Sequence, residues 1–318
     1  MKKVSIVIPN YNGKTYLDTC LRAVYHQTLQ DIAVIVVDNG STDGSQTFIQ
    51  ENYPQTRLIE LDDNYGFCRA VNEGIQASDT DYVILLNNDT EAAPDFAAVL
   101  LKTMEQSPDI FSCAAKMLCF HRRDIIDDAG NLYCALGWAF ARGKGKTAAK
   151  FNRPESIFAA CAGAAIYRRD LFERVGLFDE AHFAYLEDVD IGYRARIMGF
   201  RNQYQPSAVV YHIGSATTGS RYNEFKVRYA ARNSVYLAYK NMPLLQLLLN
   251  LPLLILGYLV KTAFFTSKKM GKEYLIGIKN GLSMCLKGQK VRFYWKNIPN
   301  YVKIQIELWV NIVRRLTS

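Results

Sequence analysis

Residues 32–45 read Ile32-Ala33-Val34-Ile35-Val36-Val37-Asp38-Asn39-Gly40-Ser41-Thr42-Asp43-Gly44-Ser45. Six apolar residues without alternation predict a strand buried on both faces. The polar turn after them carries a carboxylate, and Ser41 or Thr42 ahead of acidic Asp43 has the chemistry of a helix start. The same unit recurs on either side: residues 4–8, 57–61 and 82–86 read as strands, and residues 14–26, 43–52, 66–77 and 94–106 as helices. Such alternation implies an α/β domain with a mostly parallel sheet and helices on both faces. Ligands of sheets of this kind sit beyond the carboxyl ends of the strands.

Those ends are Pro9-Asn10-Tyr11-Asn12, Asp38-Asn39-Gly40-Ser41, Asp62-Asp63-Asn64 and Asn87-Asn88-Asp89. Loops are polar in general, but four amide- or acid-rich exits on one edge point to a site. Asp89 can coordinate a hard divalent cation, which favours oxygen ligands. His212, closing a strand at 208–211, could add a nitrogen, a mixed set that manganese tolerates; a structural role is the alternative for a strand-end histidine. Glu187-Asp188-Val189-Asp190 opens a helix running to residue 198. Free amides there favour negative charge, so capping competes with catalysis for Glu187 and Asp188. The pattern loosens over residues 110–158, where Arg142-Gly143-Lys144-Gly145-Lys146 reads as a mobile surface loop, and tightens again into a small-residue strand at 158–167.

With 318 residues, 49% hydrophobic and 21% charged, the chain suits one large domain plus an appendage and excludes a disordered, collagen-like or disulfide-dense protein. The net charge of +8 is uneven: residues 219–318 hold 17 basic and 3 acidic side chains, so the first 218 are net −6. Seven scattered cysteines with no CxxC pair suggest neither a zinc knuckle nor a disulfide framework, and fit a reducing cytosol. The short run 4–8, stopped by Pro9, reads as a strand and not as a signal peptide. Residues 244–260 are apolar over nearly the length of a bilayer span. Asn250, Pro252 and Gly257 interrupt them, which leaves both a spanning helix and a broken or in-plane one open. The lysines and aromatics that follow suit an anionic membrane surface, with an ordinary basic helical appendage as the alternative. Nucleic acid is set aside, because the lipophilic run has no role there and no binding motif accompanies the charge.

Together, Val4-Ser5-Ile6-Val7-Ile8-Pro9-Asn10-Tyr11-Asn12, residues 36–45, Asn64-Tyr65-Gly66-Phe67, Asn72, Leu85-Leu86-Asn87-Asn88-Asp89-Thr90, Gly163-Ala164-Ala165, Glu187-Asp188-Val189-Asp190 and His212 resemble glycosyltransferase family 2 in order and spacing. The resemblance covers roughly residues 1–215. It implies a GT-A fold, a nucleotide-sugar donor, a divalent metal (Mn2+ or Mg2+) and inversion at the anomeric carbon. It also implies residue roles. Tyr11 would pack on the pyrimidine and Asp38 hydrogen-bond the base, in a pocket lined by Pro9 and Asn10. Asn64, Gly66, Arg69 and Asn88 would serve the rest of the donor. Asp89 and His212 would hold the metal, Asp188 would be the general base, Glu187 would orient the acceptor, and Gly163 would leave space for it. Asn87 departs from the family's metal motif, which has Asp there, and removes one charge.

The expected organisation is a catalytic domain at 1–218, with a nucleotide-sugar half at about 1–107 and an acceptor half at about 108–218, then a membrane-associating helical region at 219–318. Deleting that region is expected to leave a soluble nucleotide-binding protein. Arg228-Tyr229-Ala230-Ala231-Arg232-Asn233-Ser234-Val235-Tyr236 resembles a stretch of bacterial rhamnosyltransferase-like members, which build surface polysaccharides on lipid-linked acceptors. The expectation is thus transfer of a single sugar, such as rhamnose, from a dTDP- or UDP-sugar to a lipid-linked glycan at the cytoplasmic face of the cell inner membrane. The several spanning helices and QxxRW motif of the family's polymerases are absent. A catalytically silent nucleotide-binding membrane protein on the same scaffold is the alternative; a nucleotidyltransferase is a weaker third option, since the glycine-rich basic loop that such enzymes place after the first strand is missing here.

Overall fold

The computed structural model describes residues 3–214 and 223–316. In chain order the elements are β1 (Val4–Asn10), α1 (Lys14–Tyr25), β2 (Ile32–Asn39), α2 (Ser45–Asn52), β3 (Arg57–Leu61), α3 (Gly66–Ala77), β4 (Tyr82–Leu86), β5 (Thr90–Ala92), α4 (Phe96–Glu105), β6 (Ile110–Cys119), β7 (Arg122–Asp128), β8 (Asn131–Tyr133), β9 (Ala139–Ala141), β10 (Glu155–Ile157), β11 (Ala164–Arg168), α5 (Phe172–Val175), α6 (Glu187–Ile197) and β12 (Arg201–His212). Four helices follow: α7 (Glu224–Asn241), α8 (Leu244–Ser267), α9 (Gly271–Lys287) and α10 (Ile298–Leu316). The domain boundary expected at 218/219 lies outside the described residues.

The main sheet runs β10-β12-β6-β11-β4-β1-β2-β3. β1, β2, β3 and β4 pair in parallel, as the βα alternation requires, while β11 runs antiparallel to both β4 and β6. Alternating side chains of a strand face opposite sides, and both sides are covered here. Ile6, Ile8, Val36 and Leu86 pack with Leu17 and Leu21 of α1 and Phe96 and Leu100 of α4. Val7, Val37 and Leu85 pack with Val71 and Ile75 of α3 and Ile191 of α6.

Two strands exceed the sequence expectation. β6 is a ten-residue strand in the stretch whose pattern loosens. Its apolar periodicity is broken by Ser112, which donates to Asn202 Oδ1 at 2.8 Å, and Lys116, which donates to Asn152 Oδ1 at 2.6 Å. Buried polar groups of this kind persist when they find partners. β12 begins at Arg201, not at 208, because its register shift between Gln205 and Val209 accommodates Pro206, a residue that sheets admit at bulges. Conversely, the strand expected at 158–167 is confined to Ala164–Arg168.

The C-terminal helices are built onto the sheet domain. A third core cluster joins Tyr133, Phe158, Val189 and Tyr193 to Leu237, Leu254, Ile304 and Leu308. α9 lies close along α7 because Gly277 and Gly281 carry no Cβ; one built there would stand 2.4 and 2.5 Å from the carbonyl oxygens of Arg228 and Arg232. α8 is one continuous helix through Pro252.

Candidate active site

The carboxyl ends of β1, β2 and β4 open into a cavity of about 940 Å³. Pro9, Asn10, Tyr11, Asn64, Gly66, Asn88, Asp89, Gly163, Glu187, Asp188 and His212 all line it. Two residues expected there do not. Arg69 points to Glu73 at 2.6 Å and Glu180 at 3.5 Å, an i,i+4 partner and a neighbouring loop having captured its guanidinium. Asp38 is fully buried behind Asn10, accepting from Asn10 Nδ2 at 2.7 Å, Ser41 N at 2.9 Å and Gln46 Nε2 at 2.8 Å. Asn10 in turn accepts from Asn88 Nδ2 at 2.7 Å. Asp38 thus fixes an amide chain whose outer members, Asn10 and Asn88, face the cavity. A Cβ on Gly163 would stand 2.9 Å from Asn87 Nδ2, so this glycine lets the Asn87-Asn88-Asp89 turn close against β11.

Asp89 follows β4 and His212 ends β12; β5, next after Asp89, pairs with β12 and draws the two together. His212 Nε2 lies 3.3 Å from Asp89 Oδ1, and its Nδ1 lies 2.7 Å from Asp127 Oδ2. With Nδ1 carrying the proton toward Asp127, Nε2 presents its lone pair on the Asp89 side, a carboxylate–histidine arrangement that orients a metal ligand. Burial disfavours a charged His212, yet hydrogen bonds to Asp127 and Asp89 and their charges prevail and raise it to about 9. The pocket therefore calls for positive charge, and one carboxylate oxygen, one imidazole nitrogen and the phosphate oxygens of a ligand form a donor set that Mn2+ or Mg2+ accepts.

Asp179, His182 and Asp190 also come together closely enough to hold an ion. Here the charge is already met. Lys240 Nζ stands 2.6 Å from Asp179 and 2.9 Å from Asp190, and Arg194 adds a 2.9 Å bond to Asp190. Burial pushes His182 down to about 4 and keeps it neutral. This group ties α6 to α7 and leaves the cavity to Asp89 and His212.

On the opposite wall, α6 starts with Glu187 and Asp188. Asp188 Oδ2 accepts from Asn131 Nδ2 at 2.5 Å and Oδ1 from Val189 N at 2.7 Å. Burial raises its pKa despite these bonds. Glu187 is raised further, by burial and then by the charge of Asp188, and its Oε2 is buried without a hydrogen-bond partner. The loop before them is strained: Phe183, Tyr185 and Leu186 have φ of 62°, 72° and 67°, left-handed values that non-glycine residues rarely adopt. Asn233 of α7, wholly buried, holds that loop by donating Nδ2 to the carbonyls of His182, Ala184 and Tyr185 at 2.9, 2.8 and 2.7 Å. Arg232 adds bonds to Ala181 O and His182 O. The stretch at 228–236 thus owes part of its character to gripping the loop that delivers Asp188. Asp127 and Asn131 escaped the sequence reading, and Asn233 entered it only as part of the 228–236 stretch, since none ends a recognisable element and each acts through another residue.

The sequence matches the family model Glycosyl transferase family 2 over residues 5–176. It is 29% identical over 243 residues to the N-acetylglucosaminyl-diphospho-decaprenol L-rhamnosyltransferase of Mycobacterium tuberculosis, spanning 67% of this chain and 77% of that protein. The fold is similar to that of the mannosyltransferase PcManGT from Pyrobaculum calidifontis in complex with GDP-Man and Mn2+, with a TM-score of 0.57, 16% identity, and 88% and 87% of the two chains covered. It is also similar to GalNAc-T7 with UDP, GalNAc and Mn2+, with a TM-score of 0.59, 17% identity, and 73% and 47% covered. At these identities the likeness concerns the fold, a GT-A sheet carrying additional C-terminal helices.

Proposed function

The chain belongs to glycosyl transferase family 2, and from this premise we propose that it is an inverting transferase that moves a single sugar from a dTDP- or UDP-sugar to a lipid-linked glycan. The observation that carries the reading is the shared cavity: Asp89 and His212 line it together with Asp188 and Glu187. A sugar hydroxyl is a weak nucleophile, and Asp188, held by Asn131 and the Val189 amide, is the carboxylate that takes its proton as the new bond forms. Asp89 and His212 are the residues to hold Mn2+ or Mg2+, which when bound supplies positive charge against the departing diphosphate. Asn10, Asn64 and Asn88 offer amides to the nucleotide, with Asp38 supporting Asn10 from behind. Glu187 has a free buried oxygen with which to meet an acceptor hydroxyl.

The acceptor side is apolar and aromatic: Phe140, Phe183, Tyr185 and Phe225 line it, and Phe225 lies 4.4 Å from Tyr229, ring to ring. Such a wall suits stacking against sugar rings. The relative's name joins an L-rhamnosyltransferase to a decaprenol-linked substrate, and this chain's basic, apolar C-terminal helices suit work at the cytoplasmic face of a membrane. Both support a lipid-linked acceptor and rhamnose as the first sugar to test.

Donor hydrolysis with Mn2+ should fall by at least about 100-fold in Asp188→Asn, the loss typical of a removed general base, while UDP or dTDP binding measured by calorimetry persists. Undiminished turnover in that variant would sink the assignment of the base. Absence of any thermal shift with either nucleotide plus Mn2+ would sink the transfer reading as a whole.

A further inference from the structure

α8 is 24 residues long, which at about 1.5 Å per residue is enough to cross a bilayer. Its contacts forbid that path. Gln246 meets Tyr193 of α6 at 3.1 Å; Gly257 is pressed so tightly on the 134–138 turn that a Cβ would stand 2.1 Å from Leu136 O; and Trp138 Nε1 donates to Gly257 O at 3.1 Å. Tyr258 donates to Ser234 O of α7 at 3.1 Å, and the Phe265 ring stacks on Tyr274 of α9 at 5.1 Å. One face of α8 is therefore fastened along almost its whole length to the catalytic body, so a spanning α8 would drag that body into lipid.

The opposite face is a different surface. Leu245, Leu248, Leu249, Leu256, Leu259 and Val260 are each 47% exposed or more. α10 repeats the design. Ile304, Gln305, Leu308 and Asn311 face inward, while Val302, Ile306, Trp309 and Val313 form a second apolar stripe at helical spacing turned outward, 44% exposed or more. A helix in water needs one apolar stripe; two imply a second apolar medium. Gln305 hydrogen-bonds both Gln246 and Asn250, joining α10 to α8.

Charge selects the occupant. Between residues 244 and 316 eleven lysines and arginines are exposed. The two acids of that stretch are spoken for, Glu273 by Arg228 and Glu307 by Arg196. A second copy of the chain would set these cations against their own kind, whereas anionic lipid headgroups neutralise them.

We propose that α8 lies in the plane of an anionic bilayer, its outer face sunk among the lipids beside the outer stripe of α10, so that the protein is monotopic and not membrane-spanning. The proposal deepens, and rests on, the lipid-facing part of the function above. Its geometric consequence concerns the acceptor. The 134–138 turn clamped on Gly257 connects β8 to β9, and Asn131, Ala139 and Phe140 of those strands line the cavity. A lipid-linked acceptor would travel along that hairpin from bilayer to site.

The full chain should float with vesicles of phosphatidylcholine plus phosphatidylglycerol, and at least about ten-fold less with phosphatidylcholine alone or in high salt, which screens the attraction of basic residues to an anionic surface. Tryptophan placed by Leu245→Trp and by Leu256→Trp should be quenched alike, by lipids brominated near the headgroup more than by lipids brominated near the chain ends. The native Trp309, compared with Trp309→Phe, should behave the same way and needs no new side chain. Deep quenching at 256 with shallow quenching at 245 would overturn the in-plane placement in favour of a span. Failure to float, with a dimer in sedimentation, would overturn the lipid occupant in favour of a second copy. Metal-dependent donor hydrolysis without vesicles is scored separately, so loss of the docking proposal and loss of the transfer reading give different results.

Discussion

Burial raises the pKa of Asp188, and in the proposed role of general base it must be ionised to accept a proton. A raised pKa means that the ionised fraction is lost at a higher pH on acidification. Turnover at saturating donor should therefore fall on an acid limb lying above the usual aspartate value of about 3.9. Asn131→Ala removes a bond that favours the ionised form, and should move the limb further up; an unmoved limb would show that Asn131 does not act through Asp188. Asp127 has a parallel duty toward His212. Burial opposes its charge, but the hydrogen bond from His212 and the nearby Lys144 hold its carboxyl well below the usual range. Asp127→Asn should weaken Mn2+ binding by about 10- to 100-fold, the common effect of losing a partner behind a ligating histidine, as read by calorimetry on the nucleotide complex. The residues that touch the cavity were legible because chemistry at strand and helix ends stands out against apolar runs. Their supports were not: a histidine that needs a carboxylate behind it does not say which of many aspartates supplies it. Asp38 and Arg69 show the converse, correct residue types whose side chains are taken up by Asn10, Ser41 and Gln46 in one case and by Glu73 and Glu180 in the other.

Among elements, the loop ahead of α6 has the clearest division of labour. Three left-handed residues at about 1–3 kcal/mol each must be held from outside, and Asn233 does so with bonds to three carbonyls. Asn233→Ala should lower transfer at least about ten-fold through misplacement of Asp188, with nucleotide affinity unchanged because Asn10, Asn64 and Asn88 are untouched. Equal losses of both would point to general unfolding instead. The βα units of the first hundred residues read directly from the sequence, since β1, β2 and β4 are mainly apolar runs bounded by polar turns and even β3, with Arg57 and Glu60, keeps Leu58, Ile59 and Leu61. β6 did not, because Ser112 and Lys116 find partners inside the protein and erase its pattern. α8 was legible in composition but not in placement: Asn250 and Gly257 look like interruptions, yet they are where the helix docks, on Gln305 and on Leu136.

At the scale of the molecule, the sequence divides by charge and the structure does not divide along that line. Tyr133, Phe158 and Tyr193 from the sheet domain share a core with Leu237, Leu254 and Leu308. Ala135 N donates to Leu308 O at 3.1 Å, and Asn311 Nδ2 to Tyr133 O at 2.9 Å. A chain ended at residue 218 should lack cooperative thermal unfolding and aggregate, in contrast to the soluble fragment that composition alone suggests; a sharp melting transition with retained nucleotide binding would show the sheet domain to be self-sufficient. Basic helices with an apolar stripe look detachable because sequence records what they expose, not what they cover. A shorter segment has a wider reach. Asp127 and Asn131 sit four positions apart where β7 passes into β8, one behind the His212 imidazole and the other on the Asp188 carboxylate. Insert or delete a residue there and the supports of His212 and Asp188 shift in concert. Under the proposed roles, cation preference and working pH would then change together, since a single short connection sets the support of both.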